Sequence, residues 1–107
     1  MIGLPHEITL GFVRIATNPR LGAATVPLDR ARATVLGWLA APPCRVLLPA
    51  SDHTEKTLAL LAAAQGSGAL TSDASLAVYA ITHRATLYTK DTDFARFANL
   101  NWKNPLS

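Results

Sequence analysis

Apolar residues recur at helical spacing in four parts of the chain, which predicts four helices. In the first, Pro5 suits the first turn, where its missing N–H is tolerated, and Asn18-Pro19 ends the segment because a residue before proline is pushed out of the helical region. The second ends at Pro42-Pro43 and the third at Gly66–Gly68. The four predicted helices span about residues 4–16, 28–40, 52–65 and 71–83.

Two of these helices carry an apolar stripe, and we expect an incomplete sheet to leave part of this apolar surface uncovered. The stripes are Leu4, Ile8, Phe12 and Ile15 in the first helix, and Leu28, Ala31, Val35, Trp38 and Leu39 in the second. The third helix has a start signal of another kind: Asp52 is placed to cap it, with Glu55 as the return partner of a capping box.

Short apolar runs between the helices predict buried strands. The runs are Val46–Leu48, Ala85–Thr89 and Leu100–Lys103, with a short helical turn at about 93–97 before the last one. Strands that alternate with helices are typical of a parallel α/β sheet. Three short strands make a thin sheet, and no strand is predicted before the first helix. We therefore expect an N-terminal strand to be absent.

Composition limits the classes of protein without identifying one. The 107 residues suit a single domain, residues 1–107, and 50% hydrophobic against 16% charged residues excludes a disordered chain. The single cysteine excludes an internal disulfide, and the net charge of +3 is too small to demonstrate a nucleic-acid partner. No apolar run is long enough to span a membrane, and no signal peptide is recognisable, so we expect a cytoplasmic protein.

Two acidic residues follow a predicted strand directly. Asp91 and Asp93 come after Ala85–Thr89, and ligands of open parallel sheets bind beyond the carboxyl ends of strands. The alternative is that Asp91 only caps the short helical turn, and the two roles are compatible.

Two further acids lie on helices. Asp73 shares the apolar face of its helix, where a carboxylate needs a cation or hydrogen bonds, although a solvated first-turn charge is an equal alternative. Glu7 has Gly11 and Arg14 above it, which alone favours an ordinary surface face. Mg²⁺ prefers oxygen ligands, and carboxylates meeting at a sheet edge would suit metal-assisted phosphodiester hydrolysis. We expect the carboxylates of Asp73 and Asp91 to lie within about 8 Å of each other, close enough to share an ion.

Several runs of this sequence resemble one family. They are Thr71-Ser72-Asp73-Ala74-Ser75-Leu76-Ala77, Thr89-Lys90-Asp91-Thr92-Asp93-Phe94, Trp102-Lys103-Asn104-Pro105, and the start from Leu4-Pro5-His6-Glu7 to Asn18-Pro19-Arg20. Together these motifs resemble the PIN-domain family, in particular the VapC-type toxins of bacterial toxin–antitoxin pairs, and the resemblance covers essentially the whole chain.

The resemblance implies a three-layer α/β/α sandwich with a short parallel sheet and a Mg²⁺- or Mn²⁺-dependent endoribonuclease. It implies an RNA substrate, often tRNA or rRNA, a cognate antitoxin and homodimers. Carried over by motif, Asp73 and Asp91 are metal-site carboxylates, Asp93 is an auxiliary acid, and Glu7 matches the acid of a subgroup with a Leu-Pro-Trp-Glu start. Other members carry that acid one turn later, where this chain has Gly11.

Departures from the family pattern leave alternatives open. Family members open with a strand that carries an Asp, and no such segment precedes residue 4, so we expect an N-terminally truncated domain. Ala69 replaces a frequent Asn, and Lys90 a frequent Thr or Ser, where its charge could weaken metal binding or contact phosphate. Besides the ribonuclease, a catalytically impaired remnant that only dimerises or binds an antitoxin stays open, as does a binding module whose acids only cap helices.

Overall fold

The computed structural model describes residues 1–106, and their contacts group into two compact units, one of residues 1–48 and one from residue 49 onward. Both units combine helices with a short pair of parallel strands, so the expected mixed α/β architecture with parallel pairing is confirmed. Among the described residues no helix is both long enough and apolar enough to cross a membrane.

The first unit is a strand and helix, followed by a second helix and strand. Its elements are β1 (Ile2–Pro5), α1 (His6–Ala16), a 3₁₀ segment (Pro19–Ala24), α2 (Leu28–Ala40) and β2 (Cys44–Leu47). β1 and β2 pair in parallel, with Ile2 opposite Cys44 and Pro5 opposite Leu47. The phenyl ring of Phe12 in α1 lies 4.8 Å from the indole of Trp38 in α2, centroid to centroid, which joins the two helices.

Strand β1 corrects the prediction that the chain opens directly with a helix. Pro5 does not lie in the first helical turn: its φ of −64° and ψ of 151° are extended, and α1 begins at His6. Pro5 ends the strand, a position where a missing N–H removes no ladder bond from the middle of a sheet. The partner of β1 lies about forty residues away, so helical periodicity near the N-terminus could not reveal the pairing.

The stripe predicted for α1 is not its buried face. Ile8 and Ile15 are 40% and 58% exposed, whereas Thr9 and Ala16 are buried. Only Phe12 of that stripe reaches the ring contact with α2. The face of a helix that becomes buried depends on the element that packs against it. In α2 the small residue Ala31 is fully buried, and it permits a closer approach than a bulky residue would. The stripe of α2 is likewise only partly covered, because Leu28 and Leu39 are exposed.

The run Val46–Leu48 forms a strand but not a buried one. Leu47 is 8% exposed, while Val46 and Leu48 are 42% and 62% exposed. Leu47 is the buried residue of β2, whereas Arg45 on the same face is exposed, and Leu48 lies beyond the end of the strand. The Leu47 side chain lies against Gly3 of β1, where a Cβ atom would come within 2.6 Å of Leu47 Cδ1. This contact explains why glycine stands at position 3.

The second unit packs two helices against a second strand pair. Its elements are α3 (His53–Ala63), α4 (Leu70–Thr82), β3 (Leu87–Tyr88), a 3₁₀ turn (Thr92–Arg96) and β4 (Trp102–Lys103). β3 and β4 pair in parallel, with Leu87 opposite Trp102 and Tyr88 opposite Lys103. Both strands lie within the runs predicted from the sequence, but each is shorter. The connection between them, residues 89–101, contains the 3₁₀ turn.

The core of this unit lies between α4 and the 3₁₀ turn. Ala74 and Ala77 are fully buried, and Phe94 and Phe97 are each 4% exposed, with their rings edge to face and 6.0 Å apart. Trp102 packs against this cluster from β4, as predicted. The alanines leave room for the two rings, so α4 and the turn approach closely. This packing holds the turn against the first part of α4.

The start of α3 differs from the predicted capping box. Asp52 does precede the helix, but its φ of −99° and ψ of 16° are not the extended conformation of an N-cap, and its side chain makes no capping hydrogen bond. Its Oδ2 lies instead 3.3 Å from Nζ of Lys56. The helix is held to α4 next to this point, because Nε2 of His53 hydrogen-bonds Oγ of Ser75 at 2.9 Å. The expectation of a capping box with Glu55 is therefore wrong.

Candidate metal centre

Side-chain hydrogen bonds fix the chain where it leaves β3. The backbone N–H of Thr89 donates to the carbonyl of Lys103 at 3.0 Å, one step beyond the paired residues. The hydroxyl of Thr89 then accepts a bond from the N–H of Asp91 at 3.1 Å, and Oδ1 of Asp91 accepts one from the N–H of Asp93 at 2.9 Å. The strand end and both acids thus form one continuous hydrogen-bonded turn.

The predicted capping role of Asp91 is confirmed, since Asp91 is the N-cap of the 3₁₀ turn. Oδ1 accepts the cap bond, and the carboxylate keeps further lone pairs that can bind a ligand. Phe94, the residue after Asp93, is buried and anchors the turn in the core. The cap and the buried ring together hold the carboxylates of Asp91 and Asp93 at the carboxyl end of β3.

Asp73 reaches the same place from the first turn of α4. It lies one and two turns before the buried residues Ala77 and Ala80, and its own side chain is half-buried. The predicted placement of Asp73 on the core-facing side of its helix is therefore confirmed. Its position follows from the packing of α4 against the turn that carries Asp91 and Asp93.

The three carboxylates converge. One carboxylate oxygen from each of Asp73, Asp91 and Asp93 lies within 4.8 Å of the other two. The expected proximity of Asp73 and Asp91 is confirmed. Within residues 1–106, no lysine or arginine forms an ion pair with any of the three, so their charges are not balanced by a side chain.

This convergence has an electrostatic consequence for Asp73. Its pKa is raised from 3.8, chiefly because burial removes water from the carboxylate, and further because the charges of Asp91 and Asp93 repel it. A cation between the three groups would relieve that repulsion. Three carboxylate ligands from two elements also match the hard oxygen donors that Mg²⁺ and Mn²⁺ accept. The residues present therefore fit a divalent metal ion.

Glu7 was predicted to belong to this site. It lies in the first turn of α1 and is exposed. It belongs to the first unit, whereas the three aspartates belong to the second, so its place at the metal centre stays a prediction. Gly11, one turn further along α1, has open space around the position of a Cβ atom.

Sequence reasoning missed the contribution of Thr89. Its hydroxyl bonds the N–H of Asp91 and so joins β3 to the acidic turn. A threonine two residues before an aspartate is a recognisable signal, since Ser and Thr hydroxyls often bond the backbone two residues on. This signal was missed because Thr89 was predicted to be the last residue of the strand Ala85–Thr89, and not part of the turn that follows it.

The fold and the acidic turn agree with comparisons to known proteins. The pattern of the PIN domain matches residues 7–100, and this chain belongs to the PIN domain family. It is also homologous over nearly its full length to VapC ribonucleases. It is 42% identical to Ribonuclease VapC33 of Mycobacterium tuberculosis over 98% of this chain and 73% of that protein. The same organism's VapC37 is 39% identical, over 97% of this chain and 72% of the relative.

Proposed function

We propose that this protein is a metal-dependent endoribonuclease and the toxin component of a toxin–antitoxin pair. The observation that carries the proposal is the convergence of Asp73, Asp91 and Asp93 within 4.8 Å in a chain of the PIN domain family. Similarity to ribonucleases named VapC33 and VapC37 supports RNA as the substrate. The reaction is hydrolysis of an RNA phosphodiester bond.

In this proposal Asp73 and Asp91 bind Mg²⁺ or Mn²⁺, and Asp93 is an auxiliary acid at the same turn. When bound, the ion supplies Lewis-acid stabilisation of the phosphate and lowers the pKa of a water molecule. The protein contributes rigid positioning: the cap bond to the N–H of Asp93 orients Asp91, and α4 presents Asp73 from the other side. Each group is thereby held before substrate arrives, which lowers the entropic cost of reaction.

Glu7 is proposed as a further metal-site carboxylate, on the family motif alone. The family pattern matches the chain from residue 7 onward, which includes this residue. Glu7→Gln keeps the size of the side chain and removes its charge, so it tests the role without disturbing α1. A member of the site should lose metal affinity and cleavage together, whereas an ordinary surface glutamate should lose neither.

The family also supports finer proposals about architecture and partners. We propose that the chain adopts the three-layer α/β/α sandwich of the family, and that the substrate is tRNA or rRNA. A cognate antitoxin and a second copy of the chain are the proposed protein partners.

A second function, binding a protein partner without cleavage, is favoured by the surface of the first unit. Large apolar side chains exposed by 40–67% recur along this unit. They are Ile2 of β1, Ile8, Leu10 and Ile15 of α1, Leu21 of the 3₁₀ segment, Leu28, Leu36 and Leu39 of α2, Val46 of β2, and Leu48. Such a surface suits an antitoxin segment or a second copy, and it is compatible with ribonuclease activity.

Cleavage of RNA by the purified chain tests the main proposal. Activity should require Mg²⁺ or Mn²⁺ and stop on chelation. Asp73→Asn and Asp91→Asn should each lower the rate at least about tenfold, a conservative figure for removing a ligand from a working metal site.

Asp29→Asn is the matched control, because Asp29 is exposed in the first turn of α2 and its substitution makes the same change in charge. Equal activity in all three variants would show that the cleavage comes from a contaminating nuclease. Activity lost in Asp29→Asn as well would show a general effect of charge. Either result would contradict the proposed metal centre.

A further inference from the structure

Side-chain exposure alternates along both strands of the second pair. In the first of them Leu87 is partly buried and Tyr88 is exposed, and just beyond the strand Thr89 is partly buried and Lys90 is exposed. In the second, Lys103 is exposed and its neighbour Trp102 packs against the core. Alternation of this kind means that one face of the pair covers the core and the other faces solvent. Parallel sheets are normally covered on both faces, so an open face needs an explanation.

The open face carries one aromatic ring and one positive charge, and a second positive charge lies at the bend that follows the first strand. Tyr88 is 64% exposed, and Lys103 lies opposite it in the parallel register. Residues paired in register point to the same face, so the phenol and the ammonium group are neighbours. Lys90 lies two residues beyond Tyr88 and directly before Asp91.

Lys90 does not neutralise the acidic turn. Within residues 1–106 its ammonium group forms no ion pair, although Asp91 is the next residue. Its backbone is held in place by the hydrogen bond between the Thr89 hydroxyl and the Asp91 N–H. The charge of Lys90 is therefore available to a ligand beside the carboxylates.

We propose that Tyr88, Lys90 and Lys103 form a binding strip for single-stranded RNA that leads to the metal centre. This proposal rests on the proposed ribonuclease function, and it specifies that the site binds RNA as a single strand. One unpaired base stacks on the phenol ring of Tyr88, and the phosphates on either side contact the two lysines. All three are positioning residues, since none is proposed to touch the reacting atoms.

The chemistry of the strip selects an unpaired strand. An exposed aromatic ring binds bases through their flat faces, which are accessible only where the RNA is not in a duplex. Lys103 on the open face and Lys90 at the bend beyond it contact the phosphates of a single strand without reading its sequence. The strip therefore recognises an unpaired segment and leaves sequence choice to other contacts.

Anisotropy of a fluorescein-labelled 12-nucleotide single-stranded RNA, measured with the full chain in chelator, tests the strip directly. Chelator prevents cleavage, so the measurement reports binding alone. Tyr88→Ala should weaken binding about fivefold to 100-fold, the range for one stacked base, while Tyr88→Phe should retain most of it. Lys90→Ala and Lys103→Ala should each lower the slope of log K against log salt by about 0.7.

Two variants on α3 provide matched controls. Lys56→Ala removes the same charge as the lysine variants, from a residue paired with Asp52. Leu58→Ala removes an apolar side chain that is 56% exposed and compares with Tyr88→Ala. Both should bind RNA like the unchanged protein, and cooperative thermal unfolding of every variant checks that it folds. Tighter binding to a duplex of the same sequence than to the single strand would overturn the proposal.

Cleavage kinetics separate the strip from the metal centre. Changes at the strip should raise KM several-fold with little change in kcat, whereas Asp91→Asn should abolish kcat. Loss of cleavage in Asp91→Asn with unchanged RNA binding and KM in all strip variants would refute the strip and leave the ribonuclease intact. RNA binding that depends on the strip, in a chain that shows no metal-dependent cleavage, would refute the ribonuclease and leave the strip. A change of oligomeric state in Tyr88→Ala without any change in RNA binding would show that a second copy covers this face, and would refute the strip.

Discussion

Oδ1 of Asp91 accepts a hydrogen bond 2.9 Å long from the backbone N–H of Asp93, so one carboxylate both caps a turn and belongs to the acidic cluster. The two roles use different properties of the group. Capping needs an oxygen acceptor, which an amide also provides, whereas binding of a divalent cation is favoured by charge. Substitutions can therefore separate the contribution of Asp91 to stability from its contribution to metal binding.

Asp91→Asn should leave the free energy of unfolding nearly unchanged and should greatly weaken Mn²⁺ binding. Asp91→Ala should weaken Mn²⁺ binding as strongly and also lower the free energy of unfolding by about 1 kcal/mol, the typical effect of losing a cap. Urea denaturation and isothermal titration with Mn²⁺ measure the two quantities. Equal stability of the two variants would show that the cap contributes nothing.

Asp73→Asn should stabilise the metal-free protein at neutral pH. Burial and the charges of Asp91 and Asp93 disfavour the ionised form of Asp73 in the folded state, and the amide removes that penalty. The gain should stay below about 1 kcal/mol, because Asp73 is only half-buried and solvent screens the repulsion. Thermal unfolding in chelator measures it, with Asp29→Asn as a control that should not change stability.

The same penalty gives stability a defined dependence on pH. Because folding raises the pKa of Asp73 from 3.8, the folded protein binds this proton more tightly than the unfolded chain. The contribution of Asp73 to the free energy of unfolding therefore falls as pH rises from 3.8 through the raised pKa, and is constant above it. The advantage of Asp73→Asn should be full at pH 7 and should vanish below pH 3.8. An advantage that persists at the lower pH would mean that it arises from packing.

Mn²⁺ should stabilise the unchanged protein and not the Asp73→Asn variant. An ion that binds only the folded state at ten times its dissociation constant adds about 1.4 kcal/mol. Thermal unfolding with and without Mn²⁺ measures the difference, and Ca²⁺-free, Mg²⁺-free buffer sets the baseline. Equal stabilisation of both proteins would place the ion elsewhere.

Phe94→Ala should unfold or severely loosen the second unit. Phe94 is 4% exposed and contacts the core beside Phe97, so its loss leaves a cavity that costs about 3–5 kcal/mol. The same ring holds the acidic turn, so Mn²⁺ binding should fall with the loss of structure. Phe94→Leu keeps most of the volume and should retain both properties in larger part. Circular dichroism and Mn²⁺ titration follow the two effects.

The isolated chain should associate at micromolar concentration. Exposed apolar residues such as Leu10 and Leu48, 67% and 62% exposed, favour contact with another chain, and an antitoxin peptide should restore a defined species. Leu10→Gln should reduce association. Sedimentation velocity measures the association. The control is Thr34→Gln, which introduces the same glutamine at an exposed polar position of the helix α2. A monodisperse monomer with cooperative unfolding would contradict the prediction.

Local sequence signals predicted the helices, three of the four strands and the meeting of Asp73 with Asp91, but not the strand whose formation depends on a distant partner. The helix α4 and the turn after β3 could be read from periodicity and from Asp91, because both depend on neighbours within a few residues. The strand β1 could not, since it depends on a pairing with β2. Helical spacing alone also does not say which stripe residue of α1 is covered: Ile8 and Ile15 are exposed, and Phe12 is the one in ring contact with Trp38.

Among the acidic residues, too, some positions could be predicted from the local sequence and others could not. Asp91 follows a predicted strand, and Asp73 lies on the apolar face of its helix. Because sheet edges and helix faces have fixed geometry, these two positions predicted that the carboxylates lie close together. The capping box at Asp52 and Glu55 failed, since motif spacing does not fix the backbone angles of Asp52, which decide whether its side chain can reach the helix. Its nearest opposite charge, on Lys56, competes for the same oxygen.

The registers of the two strand pairs carry a consequence for the order of folding. Ile2 pairs with Cys44, 42 positions later in the chain, whereas Leu87 pairs with Trp102 only 15 positions later. Closing the longer loop costs about 0.9 kcal/mol more in chain entropy. The half of the chain that carries the three aspartates should therefore reach its native pairing earlier than the half that is synthesised first, and the acidic turn is present while β1 still awaits its partner.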